Sequence, residues 1–113
     1  MIETIVRDYL TGRLDVPVSL EVPERPPGSY VVIEKTGSGE ENGLCTATLA
    51  IQSVHRSLYG AAQLNEVVKA AMRGIRDSET NVFRCELDSD YNFTDTTTKE
   101  RRYQAVFDLY YIE

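Results

Sequence analysis

The strongest pattern of apolar and polar positions in the chain runs from Leu44 to Ile75. Its first part alternates with a period of two, which is typical of a half-buried strand, and predicts a strand over Leu44–Val54. Its second part repeats apolar residues at helical spacing after Ser57, a residue type that caps helix N-termini. The pattern therefore predicts a strand that enters a helix folding back over the sheet. The predicted core-facing residues are Cys45, Ala47, Leu49 and Ile51 in the strand and Leu58, Ala61, Leu64, Val68, Ala71, Met72 and Ile75 in the helix.

Three further elements are predicted before this stretch. Residues 2–11 place their apolar side chains on one helical face and are followed by Gly12, so they predict a short first helix. Apolar and polar residues alternate over residues 16–22 and predict a strand with Pro17 near its start. Residues 29–36 predict a second strand, whose apolar run is either covered on both faces or half covered by a neighbouring subunit. The glycine-rich residues 37–43 predict a flexible hairpin tip.

Two strands are predicted after the helix. Residues 82–88 alternate with Phe83, Cys85 and Leu87 inward, residues 89–100 form a polar loop, and the final segment alternates again. The predicted order is α-β-β-β-α-β-β. Hairpin-like spacing without repeated βαβ units predicts an α+β fold, a mostly antiparallel sheet with two helices packed on one face. Nothing interrupts residues 1–113, so they are predicted to form a single domain.

Composition and charge narrow the function classes. A net charge of −6 and a pI near 4.8 disfavour a nucleic-acid or anionic-membrane surface. No apolar run approaches the roughly 20 residues needed to cross a bilayer, and the charged N-terminal stretch does not resemble a signal peptide, which predicts synthesis in the cytosol. Cys45 and Cys85 lack CxxC spacing and are predicted to be buried free thiols, with a disulfide between them as the alternative.

Motifs for catalysis or ligand binding are not complete in this sequence. His55 is the only histidine, and no nucleophile pattern accompanies it. The GxG within residues 37–43 lacks the strand-to-helix context of a dinucleotide site. The acidic run DSDYNFTD lacks the glycine and the final glutamate of a calcium loop, which leaves loose divalent binding as a weaker alternative to a solvated turn. We therefore predict no catalytic residue, no cofactor and no metal site, and expect the chain not to be an enzyme.

The final strand carries apolar and aromatic residues on both faces. One face is predicted to pack in the core, and the other to be a protein–protein contact surface. The basic residues before this strand, Lys99, Arg101 and Arg102, are interpreted as an inter-subunit salt bridge or an edge-strand guard rather than as a base-stacking nucleic-acid site. The predicted interaction residues are Tyr91, Phe93, Arg101, Arg102, Tyr110 and Ile112.

Three stretches resemble the phage tail terminator or tail-completion proteins, which are small neck proteins that join head and tail. They are the strand-joint-helix LAIQSVHRSLYGAAQLNEVVKAAM, the opening VRDYLTGRLDVPVSLEVPERPPGSYVVIEKTG and the ending DYNFTDTTTKERRYQAVFDLYY. Together they cover nearly the whole chain in the expected order.

This resemblance implies a structural subunit that forms a ring homo-oligomer, a hexamer, on the end of the tail tube and helps join tail to head. The implied partners are further copies of the chain, tail-tube proteins and head–tail connector proteins. The ring would hold DNA in its channel without recognising its sequence, and no membrane is involved. The implied location is the bacterial host cytoplasm during assembly and then the virion neck. One alternative is another head–tail joining or minor capsid protein. An alternative of a different class is a small soluble ligand-binding domain or enzyme.

Overall fold

A five-stranded sheet with helices along one of its faces makes up the structure, a computed structural model that describes residues 1–113. In chain order the elements are α1 (Ile2–Thr11), β1 (Val18–Ser19), β2 (Tyr30–Glu41), β3 (Leu44–His55), α2 (Leu58–Arg73), α3 (Ile75–Ser78), β4 (Val82–Asn92) and β5 (Arg101–Tyr111). The strand order is β1-β2-β3-β5-β4, and every neighbouring pair except β1–β2 is antiparallel. The predicted α+β class is confirmed, with the one-turn helix α3 as an addition.

The core lies between the helices and one face of the sheet. Its largest cluster joins Leu49 and Ile51 of β3 to Val68 and Met72 of α2, and α1 adds Val6 among others. The inward face predicted for β3 is therefore confirmed. Its burial follows from the period-two pattern, because alternate side chains of a strand point to the same face.

Helix α2 begins as predicted, since the Ser57 hydroxyl accepts a hydrogen bond from the backbone N–H of Gly60 at 3.0 Å. Two of its residues depart from the predicted core stripe. Leu58, in the first turn, is 39% exposed, whereas Asn65 is buried. A polar side chain is stable there only because it has a hydrogen-bonding partner, which lies on β4.

Strand β2 is longer than its sequence pattern predicts. Residues 37–41 were expected in a flexible tip, but they pair with β3 as far as Glu41 opposite Leu44. The turn itself is only Asn42 and Gly43, which have φ values of 54° and 82°. Positive φ at both central residues matches the right-handed twist of the flanking strands, so this two-residue turn extends the ladder. We call residues 37–44 the arm; every residue of its β2 half is exposed.

Strand β4 also extends beyond its predicted end and continues to Asn92, which shortens the predicted loop to residues 93–100. Its register against β5 shifts at Phe83 and again at Asp88. Each β-bulge inserts one residue and so breaks the period-two alternation. The prediction that Phe83 points inward is therefore wrong: Val82 is buried instead, and Phe83 is exposed. Leu87, which was also predicted to be inward, is 43% exposed.

Strand β1 is much shorter than the predicted strand over residues 16–22. Only Val18 and Ser19 pair, in parallel, with Val31 and Val32 of β2. Prolines lie on both sides of this segment, and proline has no N–H to donate to a ladder. The edge of β2 beyond Val32 therefore has no neighbouring strand within the chain.

Candidate interaction surface

The face of the sheet that carries no helix is the candidate surface, and we call it the open face. Alternate residues of β5 point to it, because the residues between them are buried beneath the helices. The open-face residues of β5 are Arg102, Gln104, Val106, Asp108 and Tyr110, and their partners across β3 are Val54, Gln52, Ala50, Thr48 and Thr46. The face therefore changes along its length from a polar end near Arg102 to a threonine-rich end near Tyr110.

Two buried glutamines form the centre of the polar end. Gln52 donates from Nε2 to Oε1 of Gln104 at 3.0 Å, and Gln104 donates in turn to the Tyr91 hydroxyl at 2.6 Å. Buried amides are stable only when such bonds replace those to water. Sequence reasoning missed both glutamines, since alternation alone does not show which residues stand opposite each other across two strands.

Arg102 links these glutamines to the loop over residues 93–100. Its Nη1 donates to Oε1 of Gln52 at 3.0 Å, and its Nη2 lies 3.4 Å from Asp95 Oδ2 and 3.5 Å from Glu100 Oε1. The guanidinium carbon also lies 5.7 Å from the centre of the Phe93 ring. The guanidinium group suits this arrangement because it is planar and has several N–H donors, so one side chain can bond to the sheet and to the loop at the same time. We call these five residues the Arg102 network.

Tyr30 anchors the other end of the loop. Its hydroxyl donates to Oε2 of Glu100 at 2.9 Å, and its ring is buried in a small cluster with Val32 and Val54 on the open face. Burial, together with the bond to Glu100, raises the pKa of Tyr30 to about 12, so this phenol stays protonated at neutral pH. The apolar run of β2 is thus covered on both faces within one chain, which confirms the first of the two alternatives drawn from its sequence.

Asp95 fixes the conformation of the loop itself. Its Oδ1 accepts hydrogen bonds from the backbone N–H groups of Thr97 at 2.8 Å and Thr98 at 3.3 Å. These bonds, with a smaller contribution from the Arg102 charge, hold the pKa of Asp95 below its usual value. Asp95 is therefore an ionised carboxylate at neutral pH, which is the form that pairs with Arg102.

The six predicted interaction residues fall into separate groups. Tyr91 and Phe93 lie edge to face with ring centres 6.0 Å apart, and Arg102 is beside them. Tyr110 lies at the other end of β5, about 27 Å from Arg102 at the usual rise of a strand, and Ile112 directly follows that strand. Arg101 pairs across the sheet with His55 and is exposed. The structure therefore brings Tyr91, Phe93 and Arg102 together and leaves the other three apart from them.

The interpretation of Arg101 and Arg102 as an edge-strand guard is wrong, because β5 lies between β3 and β4 and has no free edge. The ion pairs of Arg102 are made to Asp95 and Glu100 of its own chain. The charge of Arg102 is thus paired within its own subunit. Of these two arginines, only Arg101 is exposed and so accessible to a partner.

A second polar cluster lies on the helix side of β4. The Asp90 carboxylate accepts from Lys69 Nζ at 2.9 Å and from Asn65 Nδ2 at 2.8 Å, and thereby ties α2 to the edge strand. The bond from Lys69 is the main reason why the pKa of Asp90 is lowered, and the same bond raises the pKa of Lys69. This cluster explains why Asn65 is buried.

Replacing Asp90 by asparagine is expected to lower the free energy of unfolding at pH 7 by about 1 kcal/mol, because an ion pair of partly exposed groups is lost. A lowered folded-state pKa gives stability that is present above the unfolded pKa, near 3.9, and lost as pH falls through the folded pKa. The difference from wild type should therefore shrink in urea titrations below about pH 4. Asp88→Asn, an exposed carboxylate in the β4 bulge, is the control; a difference that persists at pH 3 would contradict the assignment.

The largest cavity, about 620 Å³, is an open groove beside α2. Its lining residues are Val16, Ser29, His55, Gly60, Gln63, Leu64, Glu66 and Val67. His55 uses Nδ1 to accept a hydrogen bond from the backbone N–H of Ser57 at 3.2 Å, so it helps begin the helix. No group of three or more His, Cys, Asp or Glu side chains is placed to hold a metal ion. None of the helices is long and apolar enough to cross a membrane.

Both cysteines are free thiols in the structure. Cys45 is buried as predicted, whereas Cys85 on the edge strand is only half-buried. Burial, followed by the nearby charges of Asp108 and Glu86, raises the pKa of Cys85 to about 12. Because a thiol with so high a pKa is protonated at neutral pH, Cys85 is a weak nucleophile there.

Comparison with known proteins shows a likeness of fold. No family model matches the chain, and no curated protein matches it in sequence. Among solved structures, a chain from the virion of a native gene transfer agent (GTA) particle superposes with a TM-score of 0.52 at 16% identity. The match covers 96% of this chain and 84% of that one. The two chains share a fold.

Proposed function

We propose that the chain is a structural subunit of a virion. The observation that carries the proposal is the shared fold with a chain of a gene transfer agent virion, which extends over 96% of this chain. A match over 96% of the chain extends well beyond one common motif. Fold alone does not imply function, so the argument also needs the surface of this chain.

The surface is that of a protein that binds other proteins. Its polar groups are arranged into internal networks, as around Arg102 and Asp90, rather than converging on an enclosed pocket. Several apolar side chains are exposed at the edges of the sheet and on α2, among them Phe83, Leu87, Tyr59 and Val67. Exposed apolar groups at more than one site suit a subunit with several neighbours.

Within the virion, we propose the neck, where the chain acts as a tail terminator: a ring, hexameric by the family resemblance, that caps the tail tube and contacts the head–tail connector. The resemblance of three sequence stretches supports this specific role. The proposed partners are copies of the chain, tail-tube protein and connector protein, and the subunit is not an enzyme. Assembly takes place in the bacterial host cytoplasm before the particle is complete.

The test is to mix the purified chain with tail-tube protein from the same genome and to measure mass by light scattering and position by electron microscopy. The expected result is a ring-sized assembly, alone or with tubes, at one end of each tube. Rings that attach to filled heads instead would favour another head–tail joining protein or a minor capsid protein. A chain that stays monomeric and does not bind tubes at high concentration would contradict the proposal.

A further inference from the structure

The sheet has two free edges of similar length. Strand β4 pairs only with β5, and β2 beyond Val32 pairs only with β3. An unpaired strand edge presents a row of N–H and C=O groups that can pair with another strand. On β4 the two bulges interrupt this row, so the regular part is Arg84–Leu87.

The register of the sheet shows which residues of the two edges lie level with each other. Ser38 of β2 stands opposite Ala47, Ala47 opposite Leu109, and Leu109 opposite Cys85 of β4. The same reasoning places Gly39 in one row with Arg84. The regular part of the β4 edge is therefore level with the base of the arm.

The directions of the strands also fit. The order β2, β3, β5, β4 contains three antiparallel steps, so β2 and β4 run in opposite directions. A rotation about an axis along the strands keeps every row level and every direction unchanged. It would bring β2 of one copy against β4 of the next as an antiparallel pair in register, and a repeated rotation of this kind closes a ring.

Charges at the two edges are complementary. Arg73, Arg76 and Arg84 line a cavity of about 380 Å³ beside β4, together with Cys85 and with Glu86, which pairs with Arg84. The strand β2 of the arm ends in Glu40 and Glu41. The helix-borne arginines of this cavity and both arm glutamates make no ion pair within the chain. The register places Glu40 in the row of Val82, close to the row of Arg84. Opposite charges that are unpaired in one copy and lie near each other across two copies favour head-to-tail contact.

The glycines of the arm support close approach by another backbone. Gly37 has no atom within 4 Å of the position that a Cβ would take, and it does not adopt a positive φ. A glycine in a strand lowers stability, and it commonly marks a bulge or a place where another chain comes near. Gly37 follows the β2 bulge, and Gly39 lies level with Arg84.

We infer that a second copy of this chain binds along the β4 edge through its arm, with Ser38 opposite Cys85 and with the acidic end of the arm, Glu40 and Glu41, near the arginine-lined cavity. The contact is head-to-tail, so each copy offers one arm and one β4 edge. The inference rests on the proposed ring and adds its interface; it does not depend on attachment to a tail.

Disulfide trapping tests the register directly. Directly opposite residues in an antiparallel pair have Cα atoms about 4.5 to 5.5 Å apart, which suits a disulfide. Ser38→Cys is therefore expected to give a ladder of covalent oligomers on a non-reducing gel after oxidation at pH 8.5. The matched control Ser38→Cys/Cys85→Ala should run as monomer. A ladder that survives this control, or no ladder at all, would overturn the proposed register.

Charge reversal tests the same contact without oxidation. Glu40→Arg/Glu41→Arg and Arg73→Glu/Arg76→Glu should each remain monomeric in light scattering while melting like wild type. Mixing the two variants should restore assembly, because every arm then meets a cavity of opposite charge. If wild type forms rings and either variant does so equally well, the interface is wrong although the virion role stands. If the mixed variants assemble but bind no tube, the interface stands and the tail role fails.

Discussion

Replacing Leu49 by alanine is expected to lower the free energy of unfolding by about 3 to 4 kcal/mol. Leu49 lies at the middle of β3 with 0% of its surface exposed, and its cluster includes residues of both long helices. Truncation removes buried methyl groups and leaves a cavity that a central strand, paired on both sides, cannot close by moving. Since small domains are stable by about 5 to 15 kcal/mol, the loss should appear as a clearly lower midpoint in urea.

Leu44→Ala is the matched control, because it is the same change in the same strand. Leu44 lies on the arm and is 38% exposed, so its replacement should change the free energy of unfolding by less than about 1 kcal/mol. Equal losses for the two variants would show that β3 does not run through the core as described.

Replacing Arg102 by leucine is expected to cost about 2 kcal/mol, the second-largest effect. The Arg102 side chain is only 16% exposed, and its removal leaves Gln52, Asp95 and Glu100 without their common donor. Because that donor ties the loop to the sheet, backbone amides of the loop should also exchange with solvent faster. Urea titration measures the first effect, and amide hydrogen exchange at residues 93–98 measures the second.

Arg101→Leu is the control for this experiment. Arg101 is the adjacent residue, has the same charge and is exposed, without an ion pair in the chain. Its replacement should leave both the free energy of unfolding and the exchange of the loop amides unchanged. Comparable effects from Arg101 and Arg102 would mean that net charge, rather than the Arg102 network, stabilises the loop.

The sequence predicts the strand-joint-helix centre well, because several local signals agree there. Alternation in β3, the Ser57 cap and the helical spacing of α2 all favour a strand followed by a helix, and the structure confirms both elements. The helix ends earlier than predicted, at Arg73, and Ile75 begins α3. The arm was predicted less well. Glycines usually signal a loop, but here Asn42 and Gly43 alone make the turn, and the residues before them remain paired.

The polar interactions were not predictable from local pattern. Asn65 is buried because Asp90 lies across from it, 25 positions along the chain, and Gln52 is buried because Gln104 stands opposite. Such pairs depend on strand register, which alternation leaves open, and on the bulges of β4, which shift it. Tyr91 and Phe93, which the sequence analysis groups together, do lie side by side, but the bonds of Arg102 to its own chain were not predicted.

The strand order has a consequence for how the chain folds. Strands β2 and β3 are joined by a two-residue turn, and β4 and β5 by a short loop, so each pair can form from neighbours in sequence. The pairing of β3 with β5 is different, since it joins Cys45 to Tyr111 and Ala50 to Val106 across the whole of α2 and β4. This topology predicts that pairing of β3 with β5 is the slow, non-local step of folding, and that it joins the two hairpins into a single sheet.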